Sequence, residues 1–267
     1  MSAEWVYKKP PETPLYPRIL TFHKLLSGIS FGSTNYSPRR FGKLLLFLND
    51  NGVQLVSLEK ALQEKKNCFV AITFDDGYRH LVDILPELML KLGFIPTVFI
   101  LTGYIGQTNK WDYTHLIKVD YHLDIQSIKK LARLGVKFGS HGHRHLDLTA
   151  CSSSQLNEEL IQSKKILEDI IENEITSISY PFGRYNERVV KATLKAGYKY
   201  GFTMAFPEES DSNMTLGRIP VYSYDSRLAV FQKVYRGPLY RWEKLKADFT
   251  HRMASGTIML NKIRSYK

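Results

Sequence analysis

Two stretches of this chain, FVAITF at Phe69 to Phe74 and TVFILT at Thr97 to Thr102, are apolar or β-branched at every position. A strand with one wet face alternates apolar and polar residues. An unbroken run of this length therefore belongs to a strand covered on both faces, as in a parallel sheet flanked by helices. Helical segments stand between such runs. Ser37 and Pro38, as N-cap and first helical residue, open a helix through RRFGKLLLFLNDN that stops at Gly52. Gln54 to Val56 predicts a short strand, and Ser57 caps SLEKALQEK. Helices are expected over Leu81 to Leu92, closed by Gly93, and over Ile125 to Leu134, with Gly135 beyond. Longer still is Ser153 to Asn173, apolar at 156, 160, 161, 166, 167, 170 and 171, and further helices cover Glu187 to Ala196 and Ser226 to Tyr235. Arg18 to Phe22, Val136 to Gly139, Ile178 to Tyr180, Tyr200 to Met204 and Leu216 to Val221 are strand-like. This β-then-α order predicts an α/β fold on a parallel sheet, open or closed into a barrel, with chemistry at the strand ends.

The length of 267 residues, 43% hydrophobic and 24% charged, suits one large globular domain. The longest apolar runs, Leu44 to Leu48 and Phe69 to Ile72, fall far short of the roughly 18 to 20 residues of a membrane span. Residues 1–16 hold three prolines and are expected to form an arm; 17–240 form the main domain, and 241–267 a basic helix and tail. The N-terminal lysines have no apolar stretch behind them, which argues against a signal peptide and for a cytoplasmic protein. A net charge of +11 is either a solvated basic surface or a preference for anionic partners, such as phosphate-bearing substrates or acidic lipid. The two cysteines, Cys68 and Cys151, exclude a cysteine-based zinc site or a disulfide scaffold.

Chemistry concentrates at three places. Thr73-Phe74-Asp75-Asp76-Gly77 sets two adjacent carboxylates where an apolar strand ends. Two close acids repel and desolvate poorly without a cation between them. In extended backbone they point opposite ways, so one can ligate a metal while the other faces a water; a helix cap or turn is the ordinary alternative. Ser140-His141-Gly142-His143-Arg144-His145 follows another strand, and His141 and His145, at i and i+4, share a face if the segment is helical. His143 is out of phase and is expected to pack or to contact substrate. One Asp with two His makes a three-ligand set with open positions, suited to a catalytic metal that activates water. The third place is Ser179-Tyr180-Pro181-Phe182-Gly183-Arg184-Tyr185-Asn186, a strand running into a rigid loop that is either an oxyanion-binding loop or an ordinary turn.

Taken together, TFDDG, SHGHRHLDLT and SYPFG, in this order and spacing, resemble the polysaccharide deacetylases of carbohydrate esterase family 4, the NodB homology group. ILTFHK, SPRRFGKLLLFLNDNG, GFIPTVFILTGYIG with NKWD after it, and QLNEELIQSKKILE extend the resemblance over about residues 17–235. The resemblance implies a single-domain distorted (β/α)7 TIM-like barrel and a divalent metal, usually zinc, with cobalt or nickel as alternatives. It implies Asp75 as general base, Asp76, His141 and His145 as metal ligands, and Pro181, Phe182 and Gly183 as the loop whose backbone N–H binds the oxyanion. Trp111, Tyr113, Tyr104, Phe182 and Tyr185 become candidates for stacking on sugar rings, with core packing the alternative. There are departures. The family's hydroxyl residue after the first histidine is Gly142 here. An arginine that orients the base is replaced by Ser179, for which Arg218 is the substitute candidate. No apolar strand precedes the late His251, so His23, after ILTF, is the candidate general acid, as in the poly-N-acetylglucosamine branch. The implied reaction is removal of N-acetyl groups from an amino-sugar glycan or a lipid- or nucleotide-linked precursor, with peripheral contact to anionic membrane and no nucleic-acid partner expected. Alternatives are hydrolysis of another non-peptide C–N bond on the same site, or an inactive sugar-binding relative.

Overall fold

The computed structural model describes residues 16–26, 32–64, 66, 68–109, 120–208 and 211–250. Its strands are β1 (Arg18–Phe22), β2 (Lys24–Leu25), β3 (Asn35–Tyr36), β4 (Gln54–Val56), β5 (Phe69–Phe74), β6 (Thr97–Ile100), β7 (Lys137–Ser140), β8 (Ser177–Ser179), β9 (Tyr200–Phe202) and β10 (Ile219–Pro220). The helices are α1 (Pro38–Asp50), α2 (Leu58–Glu64), α3 (Leu81–Leu92), α4 (Ile125–Arg133), α5 (Ser153–Ile171), α6 (Glu187–Lys195), α7 (Arg227–Tyr235) and α8 over residues 240–250.

The apolar run Phe69–Phe74 lies at the heart of the sheet, buried along its whole length. β1 pairs with all but its first residue on one side, from Arg18 opposite Val70 to Phe22 opposite Phe74. On the other side β4 pairs with its first half and β6 with its end. The main order is β10-β1-β5-β6-β7-β8-β9, seven parallel strands, with β4 beside β5. The sheet curls into a distorted (β/α)7 barrel. Closure runs through one segment: Thr203 N–H donates to the Leu216 carbonyl and Leu216 N–H to that of Gly201, while β10, a few residues on, pairs with β1.

Helices α1, α4 and α5 bury an apolar stripe, and several helix starts are set locally. The side chains of Asp124, Ser152, Asn186 and Ser226 each accept an N–H in the first turn of the following helix, and Ser152 with Gln155 completes a capping box. Ser37 sits at the N-cap of α1 with no side-chain bond, so Pro38 carries that start. Gly93 ends α3 in the left-handed region. Several expected elements are shorter than their residues suggest, β9 among them, which ends at Phe202. Thr97–Thr102 stops at Ile100 and turns into a 3-10 turn, Thr102–Tyr104. The long helix ends at Ile171, and Leu216–Val221 pairs only at Leu216, Ile219 and Pro220. At Gly217 the backbone passes so close to Ala205 and Pro207 that a Cβ would lie 2.7 Å from each, which breaks regular pairing there.

Candidate metal centre and active site

The carboxyl ends of β1, β5, β7 and β8 converge, and the residues at and just beyond them, with Arg218 just ahead of β10, make the site. Asp75 continues the β5 ladder, its N–H donating to the Phe22 carbonyl. Asp76 then turns into the left-handed region at φ 69°, followed by Gly77 at φ 64°. The two carboxylates thus diverge because of a turn, not through the strand alternation expected of extended backbone. The histidines meet in a similar way. No helix forms between them; Gly142 (φ 84°) and His145 (φ 58°) bend the segment so that both rings face Asp76.

One ligand atom from each of Asp76, His141 and His145 lies within 4.8 Å of the others, and all three residues are buried. The Nε2 atoms of His141 and His145 are 3.4 and 3.8 Å from Asp76 Oδ1, which is itself buried without a hydrogen-bond partner. These separations are long for hydrogen bonds. They suit three donors around one small cation, since ligands about 2.0 Å from zinc in a tetrahedron stand about 3.3 Å apart. An orphaned carboxylate oxygen facing two imidazole nitrogens is the observation that fits a divalent metal here. His141 Nδ1 is tied to the Ser179 carbonyl at 2.8 Å, which leaves Nε2 for the ligand position. Burial pushes His145 down to about 3, so it stays neutral and available as a ligand. Burial would also lower His141, but the carboxylates of Asp75 and Asp76 outweigh it and raise that histidine.

Asp75 faces Arg218. The guanidinium donates from Nη1 to Oδ1 at 2.8 Å and from Nη2 to Oδ2 at 2.7 Å, with both side chains buried. Arg218 also donates to Ser179 Oγ and to the Thr203 carbonyl, and lies over the rings of Phe99 and Phe202. Ser179 Oγ in turn donates to Asp75 Oδ2 at 3.2 Å. Burial pushes the Asp75 carboxyl up, but Arg218, with His141 behind it, more than offsets this and holds it below the usual carboxylate range.

His23 follows β1 half-buried, close enough for its charge to bear on Asp76, Asp75 and His145. The loop after β8 is a tight turn over Pro181–Gly183. Phe182 sits at φ 58°, its ring centroid 4.4 Å from that of His145. The N–H groups of Gly183 and Arg184 are used inside this turn. A Cβ on Gly183 would lie 2.7 Å from the Met204 backbone nitrogen, and one on Gly142 would touch Pro181, so the two loops abut. Tyr185 is exposed and stacks on Tyr180, while Tyr104 lies against His122. His143 stands outside the ligand set, its Nδ1 2.8 Å from Thr102 Oγ1. Trp111, Tyr113 and His251 lie outside the described residues, as do most of the expected N-terminal arm and the expected tail beyond residue 250.

Two residues of the site have no sequence motif to mark them. Glu159, fully buried on α5, accepts the N–H groups of His143 and Arg144 at Oε2 and Arg144 Nε at Oε1. With Ser140 Oγ, which takes the Gly142 N–H, it supplies the support that a hydroxyl residue at position 142 would give the histidine loop. An acidic residue on the inward stripe of α5, between Leu156 and Ser163, is the signal that marks it. His122 is the other: its Nδ1 lies 2.7 Å from the Asp76 carbonyl and its ring stacks on Tyr78, bracing the left-handed turn.

A family model described as polysaccharide deacetylase matches residues 63–201. YxkH of Bacillus subtilis, named for that family, is 32% identical over 210 residues, 76% of this chain and 68% of its own length. The poly-beta-1,6-N-acetyl-D-glucosamine N-deacetylase of Staphylococcus aureus is 26% identical over 186 residues, 64% of this chain and 62% of that enzyme. This chain thus spans less than two thirds of the staphylococcal protein. Among solved structures, the deacetylase PplD of Streptococcus pyogenes, in complex with acetate, superposes with a TM-score of 0.70 at 23% identity, covering 83% of this chain and 99% of that one. IcaB from Ammonifex degensii gives 0.66 at 19% identity, covering 82% and 96%. These structural likenesses speak for the fold.

Proposed function

This chain belongs to the polysaccharide deacetylase family, and from that membership we propose that it is a metal-dependent hydrolase removing N-acetyl groups from an amino-sugar glycan. The observation that carries the reading is the pairing of two arrangements at one strand end: a buried Asp76-His141-His145 cluster beside a carboxylate, Asp75, gripped by Arg218. A divalent cation on those three residues, zinc being the first choice for one carboxylate and two imidazoles, supplies Lewis acidity toward the acetamide oxygen and a more acidic water.

The chain's own residues do the rest. Asp75, kept ionised and fixed in direction by Arg218 and Ser179, takes a proton from the attacking water. Arg218 lowers the basicity of Asp75 while orienting it, so its contribution is alignment. The second residue of a tight helical turn has no earlier carbonyl within the turn to bind, which makes the Phe182 N–H the donor for the developing oxyanion. His23 protonates the leaving amine. Tyr104 and Tyr185 offer flat surfaces for sugar rings. Poly-β-1,6-N-acetylglucosamine leads the substrate candidates, because one relative is named for it and because a histidine after β1 suits the same branch.

The test is acetate release from a panel of poly-β-1,6-N-acetylglucosamine oligomers, chitin oligomers and lipid- or nucleotide-linked N-acetyl sugars, run on zinc- or cobalt-loaded protein beside Asp75→Asn. Metal-dependent release that falls by about 10²- to 10⁴-fold in the variant is expected. Near-wild-type turnover by Asp75→Asn, or silence across the panel with one metal bound per chain, would sink the scheme.

A further inference from the structure

The helix α8 is the last described element, and it contributes no residue to the site described above. It starts at Tyr240, whose ring packs on Phe206, and ends where Thr250 Oγ1 is 2.7 Å from the Tyr224 hydroxyl. Glu243 and Ala247 are buried, so one face is seated on the domain. The other face carries Trp242, Leu245 and Phe249, which are 63%, 62% and 67% exposed. Their spacing of three and four residues stacks them in one stripe along the helix. Leu239, just ahead, and Tyr224, beside the far end, lengthen it. Scattered exposed apolar residues are ordinary, but large ones in register along a helix mark a contact surface.

The charge around this stripe selects the partner. Arg241 is exposed, Lys244 and Lys246 are partly so while pairing with Glu208 and Glu243, Asp248 is partly exposed, and Glu243 itself is buried. In sequence, residues 241–267 hold seven Lys or Arg against two acidic residues, so this short stretch carries five of the chain's +11 charges. A second copy of the chain would set like charge against like. An apolar stripe with a tryptophan and basic flanks matches the headgroup boundary of an anionic bilayer, where acyl chains take the apolar side chains and phosphates take the cations. No helix among the described residues is long and apolar enough to cross a membrane, and α8 with its buried inner face is suited to lying on one.

We propose that the Trp242-Leu245-Phe249 face of α8 is a peripheral docking surface for an anionic lipid membrane. The Phe249 end lies beside Tyr224, which follows the carboxyl end of β10, so docking brings the catalytic end of the sheet close to the bilayer. This surface is independent of the deacetylase reading, and its test does not use activity as the readout.

The full chain is sedimented with vesicles of phosphatidylcholine alone and of phosphatidylcholine and phosphatidylglycerol in equal parts, at low and high salt. Binding to the mixed vesicles, weakened by salt and largely absent on the neutral ones, is expected. The double variant Trp242→Ser, Phe249→Ser should lower the partition coefficient by about tenfold or more while its thermal transition is unchanged. Three results would overturn the proposal: no binding to the anionic vesicles, equal binding by the variant, or a concentration-dependent dimer in analytical ultracentrifugation that the same substitutions abolish. The last would make α8 a self-association face.

Discussion

At Arg218 one side chain performs two tasks that oppose each other. It fixes both oxygens of Asp75, and it stabilises the ionised form of a carboxyl group that burial alone would hold protonated at higher pH. Removing the guanidinium leaves the burial in place, so the Asp75 carboxyl rises and the base is lost at a higher pH. The acid limb of the kcat/KM profile in Arg218→Met should therefore move upward, and Arg218→Lys, which keeps the charge but not the fork, should move it less while still lowering kcat. An unmoved limb in Arg218→Met would show that Asp75 is not the group titrating there. Legibility differed residue by residue. Asp75, Asp76, His141 and His145 stand out because like charges and clustered imidazoles are costly at strand ends without a purpose. Ser179 was visible only as a departure and Arg218 as its substitute, while Glu159 showed only as an acid on an apolar helix stripe and His122 not at all. They reach the site from a helix and a connecting segment, and nothing local in sequence reports a contact made by folding.

The loops at the strand ends show how elements aim these side chains. Asp76, His145 and Phe182 all sit in the left-handed region, which costs a residue with a side chain roughly 1 to 3 kcal/mol and persists only where surrounding contacts impose it. Here His122 braces the first turn, Glu159 the second, and the close approach of Gly183 to Met204 the third. Gly183→Ala should therefore lower stability by about 1 to 3 kcal/mol in chemical denaturation. It should also lower kcat more than it raises KM, because the Phe182 N–H moves with the turn. A variant as stable and as active as the parent would remove the turn from the scheme. The elements themselves were largely readable, since continuous apolar runs, capping serines and terminal glycines are local signals. The bends were not. An i, i+4 histidine pair suggests a helix, whereas a glycine and a left-handed histidine achieve the same convergence, and no periodicity distinguishes the two.

Across the whole molecule, closure of the sheet and completion of the site are one event. The segment from Asn213 to Pro220 bonds first to β9 and then to β1, and Arg218 lies within it. A chain ending before residue 213 keeps every metal-ligand candidate and Asp75 but loses the partner of β1 and the guanidinium. Such a chain should show no cooperative thermal transition by circular dichroism, whereas full-length Arg218→Met should retain one at a lower temperature, because removing one member of a buried ion pair costs about 3 to 5 kcal/mol. A truncated chain that melts cooperatively would separate closure from folding. The class of fold was readable from the alternation of strand and helix, but closure rests on a handful of bonds between distant segments that no single stretch announces.

That arrangement also orders events during synthesis. The acid at position 75 leaves the ribosome early and its counter-charge more than half a chain later, so a product terminated between the two carries a carboxylate without its buried partner. Such products lack the guanidinium that fixes both oxygens of Asp75, and the candidate site is complete only with the last strand of the sheet. A formed Asp75–Arg218 pair thus marks a chain whose synthesis has passed residue 218.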